Sequence, residues 1–161
     1  MTTRFIFNTV PELGLNINDS KPANEFSNGY TVETNAGGPV MWVRAAAALA
    51  EGQLCFLTTN VTTGAVTAAL ATTALLGSTL QKVGIVSKAI PSGEYGWLFV
   101  GPFDNVEVLT TTGIALGAQM TSHTVAGTVS TGGTAIPGLS GIEISVAGLT
   151  QCRATQNLRT T

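Results

Sequence analysis

Charged residues are scarce in this chain of 161 residues. Asp, Glu, Lys and Arg make up 10% of it, whereas an average soluble domain carries about 25%. The formal net charge is −2, and no basic or acidic run is present, so the composition does not indicate nucleic acid or a membrane surface as a partner. Because a lone folded monomer usually keeps more charge on its surface, we expect neighbouring proteins to cover much of this one.

Reactive side chains are also few. Cys55 and Cys152 lie far apart without a CxxC spacing, so we predict no zinc site and no disulfide framework and interpret both thiols as small buried apolar groups. The one histidine, His123, lies in a polar stretch typical of a hairpin tip. No nucleophile elbow, HExxH motif or phosphate loop occurs in the sequence. We therefore expect no enzyme activity, no cofactor, no metal and no small-molecule substrate.

Long apolar runs are missing as well. The most apolar windows, residues 43–50 and 65–76, are too short or too rich in threonine to span a bilayer. Residues 1–8 lack the basic start and the apolar core of a signal peptide. We expect a soluble protein that is made in the cytoplasm.

Threonine, 19 glycines and short alternating apolar stretches dominate instead. Tyr95, Trp97 and Phe99 alternate with other residues and place aromatic rings on one face of a strand, which we predict to lie in the core. The apolar run 54–57 predicts a strand covered on both faces, and Trp42 fits a core or an interface equally. Further alternating stretches predict strands at residues 106–108, 125–129 and 142–146.

The sequence predicts an all-β fold. We expect a single β-sandwich or barrel-like domain of short antiparallel strands over residues 30–161. Helical signals are confined to 44–51 and 72–81, which allow one or two short helices at most. Residues 1–29 are rich in turn formers and predict an extended N-terminal arm. The arm either gains order from contacts with another chain or wraps on its own domain.

An internal echo organises the predicted strands. Residues 48–54 (ALAEGQL) are echoed by residues 113–120 (GIALGAQM), and a second glycine, Gly64 or Gly127, follows in each copy. Glycine supplies the positive φ that tight turns and bulges require. We predict two related hairpins, at residues 52–71 and 117–130, inside one domain, because two copies are too few for a solenoid.

Residues 89–98 (AIPSGEYGWL) resemble a segment of the small capsid decoration (cement) proteins of tailed bacteriophages. In that family a glycine-led hairpin similar to residues 51–66 precedes a strand resembling residues 84–86. A second hairpin, such as residues 117–129, follows the shared segment. The resemblance extends over about residues 40–130 and rests mostly on turn glycines.

This resemblance implies a structural protein, often trimeric, that binds the outer surface of a phage capsid between capsomers of the major capsid protein and stabilises the shell. The protein would belong to the virion, on the capsid exterior, and would be made in the cytoplasm of the bacterial host. Its expected partners are the major capsid protein and two further copies in a homotrimer.

The N-terminal arm holds the candidate partner-binding residues, which are Arg4, Phe5, Ile6 and Phe7. An apolar segment of this kind can add a strand to the sheet of a neighbouring chain, so that main-chain hydrogen bonds supply affinity. The alternative is a receptor-binding or adhesive β module of a phage tail or a cell surface. Such a module should expose a patch of aromatic and carboxylate side chains.

Overall fold

The computed structural model describes residues 9–10, 15–17, 19–34, 38–72 and 82–159. These residues form strands, turns and loops, and no helix occurs among them, which confirms the predicted all-β class. At residues 44–51, where a short helix was allowed, the chain completes a strand at Ala45 and then bends and turns. Most of the second helical candidate, residues 72–81, lies outside the described residues.

The strands follow one another in short pieces. In chain order they are β1 (Thr9–Val10), β2 (Leu15–Asn16), β3 (Thr31–Glu33), β4 (Pro39–Ala45), β5 (Leu54–Thr59), β6 (Val66–Leu70), β7 (Val83–Val86), β8 (Tyr95–Phe99), β9 (Phe103–Thr110), β10 (Gln119–Ser122), β11 (Val129–Ser130), β12 (Ala135–Gly141) and β13 (Gly148–Ala154).

Strands β4 to β13 close into two five-stranded barrels. Barrel 1 has the order β4-β6-β5-β7-β8, is closed by pairing of β8 with β4, and carries β3 on β4. Barrel 2 has the order β9-β11-β10-β12-β13 and is closed by pairing of β13 with β9. Counted along the chain, the first strand of each barrel pairs in parallel with the third and antiparallel with the fifth. In barrel 1 these strands are β4, β6 and β8, and in barrel 2 they are β9, β11 and β13. The barrels are therefore two copies of one topology, and each contains a parallel pair that the sequence did not predict.

The two predicted hairpins lie at equivalent places in this topology. Strands β5 and β6 form the first, and β10 and β11 form the second, which confirms the prediction. Gly52 and Gly117, which precede β5 and β10, both have a φ of 75°. Their N–H groups donate to Val86 O at 2.9 Å and to Gly141 O at 2.8 Å. The echo seen in the sequence thus marks a repeat of the whole barrel.

Barrel 1 buries apolar side chains on both faces of its wall. Its interior is filled by a cluster that comprises Val43, Ala45, Leu49, Cys55, Leu57, Val66, Ala68, Val86, Ile90 and Leu98. Its outer face carries Trp42 and Trp97, which are partners across β4 and β8 and are 1% and 2% exposed. Leu54 belongs to the outer cluster and Cys55 to the inner one, so the prediction of a strand covered on both faces is confirmed.

The outer face of barrel 1 is continuous with the core of barrel 2. One cluster joins Trp42, Trp97 and Phe99 to barrel 2 residues such as Val108 and Met120. The rings of Phe99 and Phe103 meet at 5.9 Å, where the chain passes from one barrel to the other. The predicted aromatic stripe is therefore confirmed as core, with Tyr95 packed at its margin. Trp42, which the sequence left undecided, is also core.

Two predicted strands are wrong. Residues 125–128 form a loop that leads to β11 at Val129, and Val125 is 52% exposed. Residues 142–146 form the loop between β12 and β13. Alternation of apolar and polar residues misled in both places, because only isolated residues there pair with distant parts of the chain, as Gly127 does with Ala71 and Ser145 with Ile114. By contrast, residues 106–108 alternate within β9 as predicted, with Val106 and Val108 buried.

Candidate interaction surfaces

The predicted partner-binding residues Arg4, Phe5, Ile6 and Phe7 lie outside the residues that the structure describes. Strands β1 and β2, which follow them, pair with each other as a two-stranded sheet. The strand-addition role of the arm therefore stays a prediction.

Residues 19–30, the later part of the predicted arm, lie on the aromatic outer face of barrel 1. The ring of Phe26 packs at 5.2 Å from Trp42 and 5.5 Å from Trp97. Trp42 Nε1 donates to Asn24 Oδ1 at 2.9 Å, and the N–H of Val66 donates to Asn28 Oδ1 at 2.7 Å. Because buried indole and amide groups need such partners, this part of the arm belongs to the fold of its own chain.

A cleft of about 480 Å³ lies beside β3 and β4. Its apolar lining includes Met41 and Leu57, and its rim carries Lys82, Arg159 and Glu33. Lys82 and Arg159 are partners in an isolated β-bridge, so two cations stand side by side. All three charged side chains are exposed, where water and salt screen their fields. The cleft is therefore a weak electrostatic feature.

The loops at one end of barrel 2 expose apolar side chains. Leu116 is 65% exposed, and Ile144 and Val146 are each 82% exposed. Leu116 belongs to the loop between β9 and β10, and the other two belong to the loop between β12 and β13. We call these three residues the apolar end. The sequence analysis missed this surface, although its echo already aligned Leu116 with Glu51 of the first copy.

The interior of barrel 2 contains paired hydroxyl groups. Thr110 Oγ1 lies 3.1 Å from Thr150 Oγ1, which lies 2.8 Å from Ser145 Oγ. Thr110 Oγ1 also donates to Gly148 O at 2.9 Å. Hydroxyl groups can be buried at little net cost when they are bonded in this way. We interpret this chain of hydroxyl groups as part of the structural core of barrel 2.

Both cysteines are free and buried, as predicted. Burial raises the pKa of Cys55 to about 12, and burial together with Glu143 raises the pKa of Cys152 to about 12. Both thiols are thus protonated at neutral pH, a form that does not attack substrates or bind metals. His123 lies in the loop between β10 and β11, where its Nδ1 accepts from the N–H of Val125 at 3.1 Å. This position agrees with the predicted hairpin tip.

The described residues contain no group of three or more His, Cys, Asp or Glu side chains that could hold a metal ion. They also contain no helix long and apolar enough to cross a bilayer.

Comparison with known proteins gives one informative likeness. No protein-family model matches the chain, and no curated protein matches it. Among solved structures, the chain is similar to the head fiber gp8.5 N base of bacteriophage phi29, with a TM-score of 0.51 and 16% sequence identity. The match covers 74% of this chain and 95% of that chain. The two proteins share a fold. At this level of identity, the likeness to the phi29 base concerns the fold alone.

Proposed function

We propose that this chain is a non-enzymatic structural protein of a bacteriophage head, bound to the outer surface of the capsid. The observation that carries the proposal is the fold shared with the phi29 head fiber base, 95% of which is covered by the match. The segment at residues 89–98, which resembles capsid cement proteins, supports the same location independently.

Composition supports a surface that is covered in the assembled particle. Only 10% of the residues are charged, and large apolar side chains are exposed at one end of barrel 2, with Leu116 at 65% and Ile144 at 82%. A protein that acts alone in solution usually carries more charge and fewer exposed apolar side chains. Contact with neighbouring proteins in an assembly accounts for both features.

More specifically, we propose that the chain acts as a capsid cement protein. The chain would bind the major capsid protein between capsomers, as a homotrimer, and stabilise the shell. Each contact can then be moderate in strength, because three arms on one particle raise the effective concentration of the second and third contacts. Arg4, Phe5, Ile6 and Phe7 would make those contacts by adding a strand to the capsid protein.

Co-sedimentation with empty shells of the phage that encodes the chain tests this proposal. The full chain should pellet with shells and stay in solution without them. A variant that lacks residues 1–10 should remain folded by circular dichroism and lose shell binding. The matched control is Val61→Glu, which changes the 98% exposed side chain of barrel 1 and should bind like the wild type.

Two outcomes would contradict the proposal. Failure of the full chain to pellet with shells would reject the capsid role, and binding to host cells instead would favour the adhesive module. Undiminished shell binding by the variant that lacks residues 1–10 would reject the role of the arm while leaving the capsid role intact.

A further inference from the structure

We propose that the apolar end of barrel 2, formed by Leu116, Ile144 and Val146, is the surface through which copies of this chain associate with one another. The inference rests on the self-association in the proposed function and is independent of the capsid role.

The backbone fixes Ile144 and Val146 on the outside of the barrel. Between them, Ser145 exchanges backbone hydrogen bonds with Ile114 at 3.1 and 3.2 Å. The Ser145 hydroxyl points inward, to within 2.8 Å of Thr150 Oγ1, and Ile114 is 1% exposed. Ile144 and Val146, on either side of Ser145, are each 82% exposed and face solvent together.

Leu116 lies at the same end of the barrel. It directly precedes Gly117, whose N–H donates to Gly141 O at 2.8 Å at the end of β12. Ile144 follows shortly after Gly141, in the neighbouring loop between β12 and β13, and its side chain is exposed. Two loops that are held together by backbone hydrogen bonds thus contribute to one exposed apolar surface.

Barrel 1 provides an internal control for this surface. Leu49 and Ile90 exchange backbone hydrogen bonds at 2.9 Å, as Ile114 and Ser145 do in barrel 2. The residues that flank Ile90 are Ala89 and Pro91, and the residue before the equivalent glycine is Glu51.

Glu51 also forms an ion pair in barrel 1, since Lys88 Nζ lies 2.8 Å from its Oε2. The same loops therefore close a barrel with a polar, small-residue exterior. The large apolar side chains of barrel 2 are not required by the topology, and their exposure needs another explanation. Burial against a further chain supplies it.

Charge favours a second copy as the occupant. Loop residues 111–118 and 142–147 contain one charged residue, Glu143, whose Oε1 accepts from the N–H of Gln151 at 2.9 Å. A charged partner would lose hydration against this surface without gaining an opposite charge. A second copy instead brings an identical uncharged surface, and a symmetric oligomer repeats this surface around its axis.

The composition of these loops suits such an interface. A stable interface buries about 800 Å² per partner, with an apolar centre and a more polar rim. Leu116, Ile144 and Val146 would form the centre. The rim would come from small and hydroxyl residues of the same loops, such as Thr112 and Ala147, which are also exposed.

The test is the mass of the full chain in solution, measured by light scattering during size exclusion. The wild type should run as a multiple of 16.5 kDa. The double variant Leu116→Glu/Ile144→Ala introduces the residue types of barrel 1, and Val146→Glu is a separate single variant. Each should raise the dissociation constant about tenfold or more, because central apolar residues dominate interface energies. Val61→Glu, on the exposed hairpin tip of barrel 1, should keep the wild-type mass. Circular dichroism melts confirm that each variant is folded.

Three results would overturn the inference. A monomeric wild type would reject self-association, and shell co-sedimentation would then decide the capsid role separately. A multimer that survives both folded barrel 2 variants, or that dissociates equally with Val61→Glu, would place the interface elsewhere.

Discussion

Barrel 1 and barrel 2 have the same strand order, but the outer faces of their walls are used differently. In barrel 1 the outward side chains of β4 and β8 include Trp42 and Trp97, which Phe26 and barrel 2 cover. In barrel 2 the outward side chains of β9 and β13 include Asp104 and Arg153, which are exposed and 3.8 Å apart. The outer face of barrel 1 at β4 and β8 is thus covered, whereas part of the outer face of barrel 2 at β9 and β13 is exposed.

The interiors differ in a related way. Among the described residues, the buried polar side chains lie in or beside barrel 2, apart from Thr34. Barrel 1 is filled by apolar groups. One topology therefore accepts either lining, and the hydroxyl groups of Thr110 and Thr150 are bonded to each other in barrel 2. The fold depends on backbone pairing and volume more than on the chemistry of its interior.

The largest predicted effect concerns the covered face of barrel 1. Trp97→Ala should lower the free energy of unfolding by about 3–5 kcal/mol, because Trp97 is 2% exposed and packs 5.0 Å from the ring of Trp42. Arg153→Ala, on the exposed face of barrel 2, should change it by less than about 1 kcal/mol. Chemical denaturation measures both. A loss below about 1 kcal/mol for Trp97→Ala would mean that the face is not core.

Alanine substitutions at the equivalent glycines Gly52 and Gly117 distinguish the stability cost of the local backbone conformation from the cost of contact between the barrels. Both have a φ of 75°, so alanine should cost about 1–2 kcal/mol at either. At Gly52 a Cβ would also lie 2.6 Å from Leu149 Cδ2 and 3.1 Å from the backbone N of Leu109, whereas nothing lies within 4 Å at Gly117.

We therefore expect Gly52→Ala to cost about 1–3 kcal/mol more than Gly117→Ala. Thermal and chemical denaturation of the two variants give this difference. Equal losses would contradict the close contact of barrel 1 with β9 and β13 of barrel 2.

The buried hydroxyls test the difference between the interiors. Thr150→Val should cost about 1–3 kcal/mol, because it removes a hydrogen-bond partner from both Thr110 Oγ1 and Ser145 Oγ. The double variant with Thr110→Val should cost less than the sum of the two single changes. Val43→Thr, which places an unpaired hydroxyl in the interior of barrel 1, should also destabilise the protein. Strict additivity in the denaturation data would contradict a shared network.

The smallest effect is expected at the end loops. Glu51→Leu gives barrel 1 the residue type of Leu116 and removes the ion pair with Lys88. Because the Lys88 side chain is 51% exposed and the Glu51 side chain is 30% exposed, stability should change by less than about 1 kcal/mol. The difference from the wild type should shrink at high salt. A loss above about 2 kcal/mol would show that the ion pair helps to hold the barrel.

Sequence patterns predicted the features that depend on local chemistry. The glycine-led hairpins were visible because Gly52 and Gly117 stand before similar residues, and the stripe of Trp97 was visible because alternation places aromatic rings on one face. The covered strand β5 was visible as a continuous apolar run.

Features that depend on distant pairing were not predictable from the sequence. Closure of each barrel joins strands far apart in the chain, and the parallel pair of β4 with β6 has no local signature. Residues 142–146 alternate like a strand, but they form the loop between β12 and β13, in which Ser145 exchanges backbone hydrogen bonds with Ile114. Recognition of the apolar end required the equivalence of the two barrels, which only the full strand order supplies.

Cryo-electron microscopy of empty shells saturated with the purified full chain tests the central claim most directly. The account predicts added density on the outer surface of the shell, at positions between capsomers, into which the two barrels fit. The apolar ends of barrel 2 should face one another about a local symmetry axis. Shells without such density at saturating protein, or with density on the inner surface alone, would contradict a capsid-bound structural role.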